Sequence, residues 1–343
     1  MAIALCAIGM VVAQVNAMVE RSRPQSQTRD FFNSLLGSII NWRATNKTMK
    51  TENLKLSIII PTLERSTILA KTIDDVLSQN FKDFEFWIVD QSSAREAAAN
   101  ASHVAQRSDP RLKYLHLAKA GLPNARNEGI RRAKGEIILF LDDDVILLSP
   151  DFLTAHLAAY SDPRVGGVTG RHVERSVVTN CKHTACYVSW GGRTIYNLRG
   201  HQRQLIGSCK GSNMSFRAEV VEKVGGFDRN TDLLEDTDFS VRVAKAGWSL
   251  LFEPTAEIVH LSAISGGVRE IGVVINEHRR FSSTAYYIRK HRGFLGCIPF
   301  VATFSLIALS RAWRYRSLGV LPGCAKALRS GFALAKRGPD QIV

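Results

Sequence analysis

Three consecutive carboxylates, Asp142, Asp143 and Asp144, interrupt the apolar stretch GEIILFLDDDVILLSP over residues 135–150. Like charges this close repel one another, and Asp is a poor strand former. A divalent cation resolves the conflict. Hard oxygen ligands suit Mg²⁺ or Mn²⁺, and such an ion can bridge phosphates and neutralise a departing diphosphate. A second acidic cluster, Glu235, Asp236 and Asp238, opens the segment LLEDTDFSVRVAKAGW, in which Phe239 and Val243 have helical spacing. Acids there serve either as helix N-terminal charge or as a general base, and the spacing alone does not choose.

The elements that must carry these groups alternate. LSIIIPT (56–62) is a short β-branched run of the kind buried on both faces of a parallel sheet. It is followed by STILAKTIDDVLSQ, with Ser66 as the expected N-cap and Leu69, Ile73, Val76 and Leu77 on one face. FEFWIVDQSS, a helix through about 94–106, LKYLHL and the helix LPNARNEGIRRAK then lead into the strand that ends in the triple Asp. Units of strand and helix predict an α/β fold with a mostly parallel sheet. Ligands in such sheets bind at strand carboxyl ends, and Thr62, Asp90 and Asp142–Asp144 all lie there. Neither early strand is followed by G-x-G-x-x-G or G-x-x-x-x-G-K-[ST], which removes the main support for dinucleotide oxidoreductases and P-loop enzymes.

The formal charge of +14 is uneven. Residues 1–56 hold 7 Lys/Arg against 3 Asp/Glu, and residues 289–343 hold 10 against 1, while 57–288 hold 28 against 27. A near-neutral body with basic flanks beside apolar segments fits anionic lipid and not nucleic acid. Six scattered cysteines in a chain of 343 residues favour reduced thiols. Cys181, His183, Cys186, His201 and Cys209 fall close together, but their spacing matches no standard zinc pattern, so isolated structural residues are expected.

Five segments, SIIIPTLER, FWIVDQSS, GLPNARNEGIRRAKGEIILFLDDDV, GSNMSFRAEVVEKVGGFDRN and LLEDTDFSVRVAKAGW, occur in the order found in family 2 glycosyltransferases, over roughly 56–290. The chain resembles that family. The resemblance implies a GT-A fold, a Rossmann-like mostly parallel sheet flanked by helices. It also implies inverting transfer of one sugar from a nucleotide-diphosphate donor, UDP-linked ahead of GDP- or dTDP-linked, to a glycan or lipid-linked acceptor. Within it Asp144 is the expected ligand of Mn²⁺ or Mg²⁺, with His260 completing the metal or diphosphate shell, while Asp142 and Asp143 face the donor. Thr62, Glu64 and Asp90 are expected at the nucleoside. The usual second acid after Asp90 is Gln91 here, which weakens inference about the base. Arg126 and Asn127 match the donor-side pair, and Gly211, Ser212 and Asn213 with Glu235 the acceptor side. The acidic run places the general base at Asp236, with Glu235 and Asp238 as open alternatives. A nucleotidyltransferase would need a basic triphosphate loop near the first strand, which PTLERSTIL is not. A catalytically silent GT-A binding or assembly subunit is the other competing reading, against which intact Asp144 and Asp236 count. The Q-x-x-R-W element of processive synthases is absent.

Apolar extensions are expected at both ends. Residues 1–55 form an apolar segment without a basic start, followed by a polar linker, and read either as a weak anchor or as sequence upstream of a start at Met49. GFLGCIPFVATFSLIALS (293–310), with Pro299 inside and basic residues on both sides, reads as an interfacial or single-segment helix, with a buried helix packed on the body as the alternative. With a domain at 56–290 and a membrane-associating region at 291–343, the expected location is the cytoplasmic face of the cell membrane.

Overall fold

The computed structural model describes residues 56–173, 184–231, 233–261, 273–314 and 320–337; the expectations placed on 1–55, Cys181 and His183 lie outside them. The described residues fall in one compact unit. Its first half runs β1 (Leu56–Thr62), α1 (Ser66–Leu77), β2 (Phe84–Asp90), α2 (Ala94–Arg107), β3 (Leu112–His116), α3 (Leu122–Ile130) and β4 (Ile137–Leu141). It continues with β5 (Val145–Leu147), α4 (Phe152–Ala158), β6 (Val165–Val173), β7 (Ala185–Val188), β8 (Thr194–Asn197), β9 (Gln204–Leu205) and β10 (Asn213–Arg217). Then follow α5 (Ala218–Val224), α6 (Glu235–Lys245), β11 (Ser249–His260), α7 (Val273–Arg314) and α8 (Val320–Arg337).

The main sheet has the order β3-β2-β1-β4-β10-β6-β11-β5, with β9 added on β11. Strands β3, β2, β1 and β4 are parallel, and β10 runs antiparallel between β4 and β6. Chain order reverses between β1 and β4, so the switch-point crevice opens beside Thr62 and Asp142. Both faces of the sheet are covered. Ile58 and Ile60 of β1 pack with Leu69, Ile73 and Val76 of α1, while Ile59 packs on the other face in a cluster with Phe140, Phe216, Phe227 and Phe239. Burial on both sides is why β1 and β4 read as unbroken apolar runs.

Helix α1 departs from expectation at its start. Arg65 occupies the N-cap without a side-chain cap bond, and Ser66 instead donates its hydroxyl to Glu96 at 2.6 Å. That frees the Arg65 side chain to reach the triple Asp. The boundary expected at 290/291 falls inside α7, whose helical geometry breaks at Gly293 (φ 68°), while Pro299 lies within the helix. Residues 278–310 are long and apolar enough to cross a membrane by length and composition. One face of this segment is nevertheless covered: Cys297, Phe300, Phe304 and Ala308 are buried in a cluster with Val188, Ile288 and Ala327. Gly331 of α8 lets the two helices approach closely, since a Cβ there would lie 2.2 Å from the Ser282 carbonyl oxygen.

Candidate active site

Strand register assembles the acidic site. Asn213 pairs with Leu141 across β10 and β4, which puts Ser212 and Gly211 alongside Asp142. His260 pairs with Val145 across β11 and β5, so the last residue of β11 sits beside Asp144, far apart as they are in sequence. The Nε2 of His260 lies 3.0 Å from Asp144 Oδ1 and 3.5 Å from Asp142 Oδ2. Ligand atoms of Asp142, Asp144 and His260 all fall within 4.8 Å of one another. Two carboxylate oxygens and an imidazole nitrogen at that separation fit Mn²⁺ or Mg²⁺. Among the described residues they are the one such group. Burial alone would lower the His260 pKa, but hydrogen bonds to Asp142 and Asp144 carry it to about 9. Burial would raise Asp142, yet the bond from His260 and the charge of Arg126 hold it well below the usual carboxylate range.

Asp143 faces the other way. It accepts from the Thr62 hydroxyl at 2.7 Å and from Arg65 at 2.9 Å, and Arg65 is also 3.3 Å from Asp144. Thr72 donates to the Asp143 carbonyl at 2.8 Å, tying the turn to α1. Burial pushes the Asp143 carboxyl up to about 6 against these partners.

Thr62, Arg65, Asp142–Asp144 and His260 line a cavity of about 780 Å³, which Glu235 and Asp236 line too, with Arg126 set between Glu235 and Asp142. Leu234, just ahead of α6, has a left-handed backbone (φ 69°), rare for a residue with a side chain and found where a site over-determines the turn. It places both acids in the first helical turn. Asp236 accepts from the Gly211 N–H at 2.9 Å and the Thr237 N–H at 2.7 Å, and lies 3.6 Å from Lys210. Arg126, almost wholly buried, joins the walls: it donates to Glu235 at 2.7 Å and to the Gly211 carbonyl at 3.2 Å, and lies 3.5 Å from Asp142. Burial, with Asp236 alongside, raises the Glu235 carboxyl.

Of the expected site residues, Thr62, Arg126, Asp142–Asp144, Gly211, Ser212, Glu235, Asp236 and His260 line this cavity. Four do not. Asp90 is wholly buried and accepts from the Ser92 N–H, Asn100 and Tyr114, while the neighbouring Gln91 lines the cavity. Glu64 turns to Ser93, closing the loops after β1 and β2. Asn127 pairs with both backbone groups of Phe227, and Asn213 with His156 and the Ala256 carbonyl. Asp238, the alternative base, points out of the cavity into an ion cluster. Arg65, Gln91 and Lys210 belong to the lining although the sequence reading did not select them. Gln91, standing where the second acid is usual, was the available signal. Cys186 lies against Ser208 and Cys209 is buried in the core.

Residues 57–225 match the model of Glycosyl transferase family 2, and the matched stretch includes the triple Asp. The domain that holds these residues belongs to that family. The glycosyltransferase is 38% identical over 97 residues to GalNAc(5)-diNAcBac-PP-undecaprenol beta-1,3-glucosyltransferase of Campylobacter jejuni, covering 28% of this chain and 31% of that one. It is 23% identical over 211 residues to the O-antigen chain rhamnosyltransferase RfbN of Salmonella typhimurium, covering 60% and 66%. The first curated relatives are matched over only 20% to 66% of their own length. Among solved structures it is similar to the mannosyltransferase PcManGT of Pyrobaculum calidifontis in complex with GDP-Man and Mn²⁺ (TM-score 0.53, 18% identity, 90% and 86% coverage). It is similar also to S. aureus TarS 1–349 (TM-score 0.56, 16% identity, 81% and 80%). The fold is GT-A. Glu235, Asp236 and His260 lie beyond the matched segment, so the far wall of the cavity and the His260 side of the acidic group rest on the geometry above.

Gly211 has no room for a side chain: a Cβ would lie 2.6 Å from Arg126 Nη2. Gly211→Ala is expected to dislodge Arg126 and the N–H that orients Asp236. Nucleoside-diphosphate release from a sugar donor should fall about tenfold or more with the circular dichroism spectrum unchanged, displacement of about 1 Å in a site being enough for such losses.

Proposed function

We propose that this glycosyltransferase moves one sugar from a nucleoside-diphosphate donor, with inversion, to a hydroxyl of a glycan or lipid-linked acceptor in cell-surface polysaccharide or glycolipid synthesis. The observation that carries the reading is the pairing of two acidic sets across one cavity: Asp142, Asp144 and His260 on one wall, Asp236 on the other. Asp142, Asp144 and His260 would hold Mn²⁺ or Mg²⁺, which supplies positive charge to the departing diphosphate. Thr62, Arg65 and Gln91 line the donor end. Arg65, already engaged with Asp143 and Asp144, fixes the acidic turn rather than adding a mobile charge. At the opposite wall the Asp236 carboxylate takes the proton of the attacking hydroxyl. The Gly211 and Thr237 N–H groups orient it, and Lys210 faces it with opposite charge. Direct displacement from that side inverts the anomeric carbon.

The acceptor class draws on α7. Phe294, Leu295, Ile298, Leu306 and Leu309 recur at helical spacing and are each more than half exposed. Trp190, 60% exposed, lies under Arg292 at 4.9 Å. An apolar stripe of this extent beside the basic stretch 289–343 suits the interface of an anionic membrane, at its cytoplasmic face, where a lipid-linked acceptor would be presented. The Campylobacter relative carries PP-undecaprenol in its name, which supports the same class.

Two outcomes are expected. With the member of a UDP-, GDP- and dTDP-sugar panel that the wild type turns over fastest, Asp236→Asn should lower turnover by roughly 10² to 10⁴ while donor affinity holds. Nuclear magnetic resonance of the sugar first released should show the anomer opposite to the donor; near-normal turnover or a retained anomer would contradict the assignment. Leu295→Asp with Ile298→Asp should cut co-sedimentation with phosphatidylglycerol-containing vesicles by about tenfold or more, since each large side chain contributes roughly 1.5–3 kcal/mol of burial. Undiminished sedimentation would remove α7 as the membrane contact.

A further inference from the structure

The helix that carries the apolar stripe also reaches the catalytic wall through a buried ion cluster. Lys290 of α7 donates to Asp228 at 2.6 Å and to Asp238 at 2.7 Å, and His291 Nε2 is 2.7 Å from the same Asp238 oxygen. Arg242 takes the other Asp238 oxygen at 3.0 Å and spends its remaining donors on the carbonyls of Val224, Gly225 and Gly226. Tyr286, one turn before Lys290, donates to Asp228 at 2.5 Å, and Ser283 accepts from the Leu233 N–H at 3.3 Å. The side chains of Asp228 and Asp238 are 1% and 0% exposed. Leu234 and Val241 pack against the cluster that includes Phe281, Ala285 and Ile288 of the same helix. Thus α7 grips both ends of the left-handed turn that presents Asp236. The Asp238 N–H bonds the Leu234 carbonyl at 2.8 Å, so holding Asp238 holds the turn.

We infer that Lys290 is a positioning residue for sugar transfer: through Asp238 it fixes the Leu234 turn and so the Asp236 carboxylate, two residues from Asp238. The inference rests on the reading of Asp236 as base. It lies wholly outside the segment matched to the family, which ends at residue 225. A buried carboxylate that loses one cation partner is left with uncompensated charge, and the side chain or its helix turn must shift. Asp238 retains Arg242 and His291, and Asp228, which loses its cation, retains the Tyr286 hydroxyl, so the loss of Lys290 should be felt as misplacement more than as unfolding. A purely structural salt bridge would lower stability and leave turnover per folded molecule intact.

A double-mutant cycle on the full chain separates the two. Donor turnover is measured with the panel sugar named above and Mn²⁺, per folded molecule as counted by stoichiometry of nucleoside-diphosphate binding. Lys290→Met should lower turnover about tenfold or more in the native background and change it less than about twofold in the Asp236→Asn background, because coupled groups are non-additive. Lys290→Arg should restore most of the rate. His291→Gln, which removes a partner without stranding a carboxylate, carries the same cycle if Lys290→Met does not fold. An unchanged rate in the native background, or an equal loss in both backgrounds, overturns the proposal. Retained turnover in Asp236→Asn alone instead removes the base assignment, so the two failures are told apart.

Discussion

The rest of the site depends on how three adjacent carboxylates are kept together at the end of β4. They are not left to solvent: Asp143 and Asp144 are almost wholly buried. Each acid meets a cation brought from a different part of the chain. Arg65 comes from the N-cap of α1, Arg126 from α3 and His260 from the end of β11. Burial without such partners would protonate the carboxyls, and Asp143, pushed up to about 6, shows how near that limit the turn lies. Asp142 and Asp144 point their oxygens at one imidazole, an arrangement that could hold a divalent cation in place of the His260 proton.

Arg126 carries this constraint across the cavity. Buried between Asp142 and Glu235, it makes the spacing of the two walls a property of the core and not of mobile loops. Gly211 exists at that point because any side chain would occupy the guanidinium's place, and its N–H then orients Asp236. Beyond the wall, Asp238 of α6 and Asp228 of the preceding loop both bind Lys290 of α7, so the apolar stripe and the Asp236 carboxylate are set on one framework.

Much of this was legible in the sequence. The parallel half of the sheet announced itself through apolar runs ending in polar groups, because strands β1 and β4 are covered on both faces. The triple Asp and the Glu235–Asp236 pair are dense enough in charge to demand a purpose. What the sequence withheld depends on partners distant in the chain. Asp90 reads as a ligand group, and the fold buries it against the Ser92 N–H, Asn100 and Tyr114. Asn127 and Asn213 bond backbone across the core, which no local pattern signals. Arg65 was hidden because Ser66 seemed the better cap, and its side chain counts only once β1 and β4 lie side by side. The residues of α7 before Gly293 carry mixed polarity, so only the fold reveals that they wall the cavity.

The central claim is that Asp142, Asp144 and His260 hold a divalent cation that recruits the donor diphosphate. Isothermal titration of UDP, GDP and dTDP into the wild type and Asp144→Asn, each with Mn²⁺ and with EDTA, tests it without requiring an acceptor. The account predicts that Mn²⁺ tightens binding of one nucleotide to the wild type by about tenfold or more, equivalent to 1.4 kcal/mol, and that the gain vanishes in Asp144→Asn. Equal affinity with Mn²⁺ and with EDTA in the wild type would contradict it.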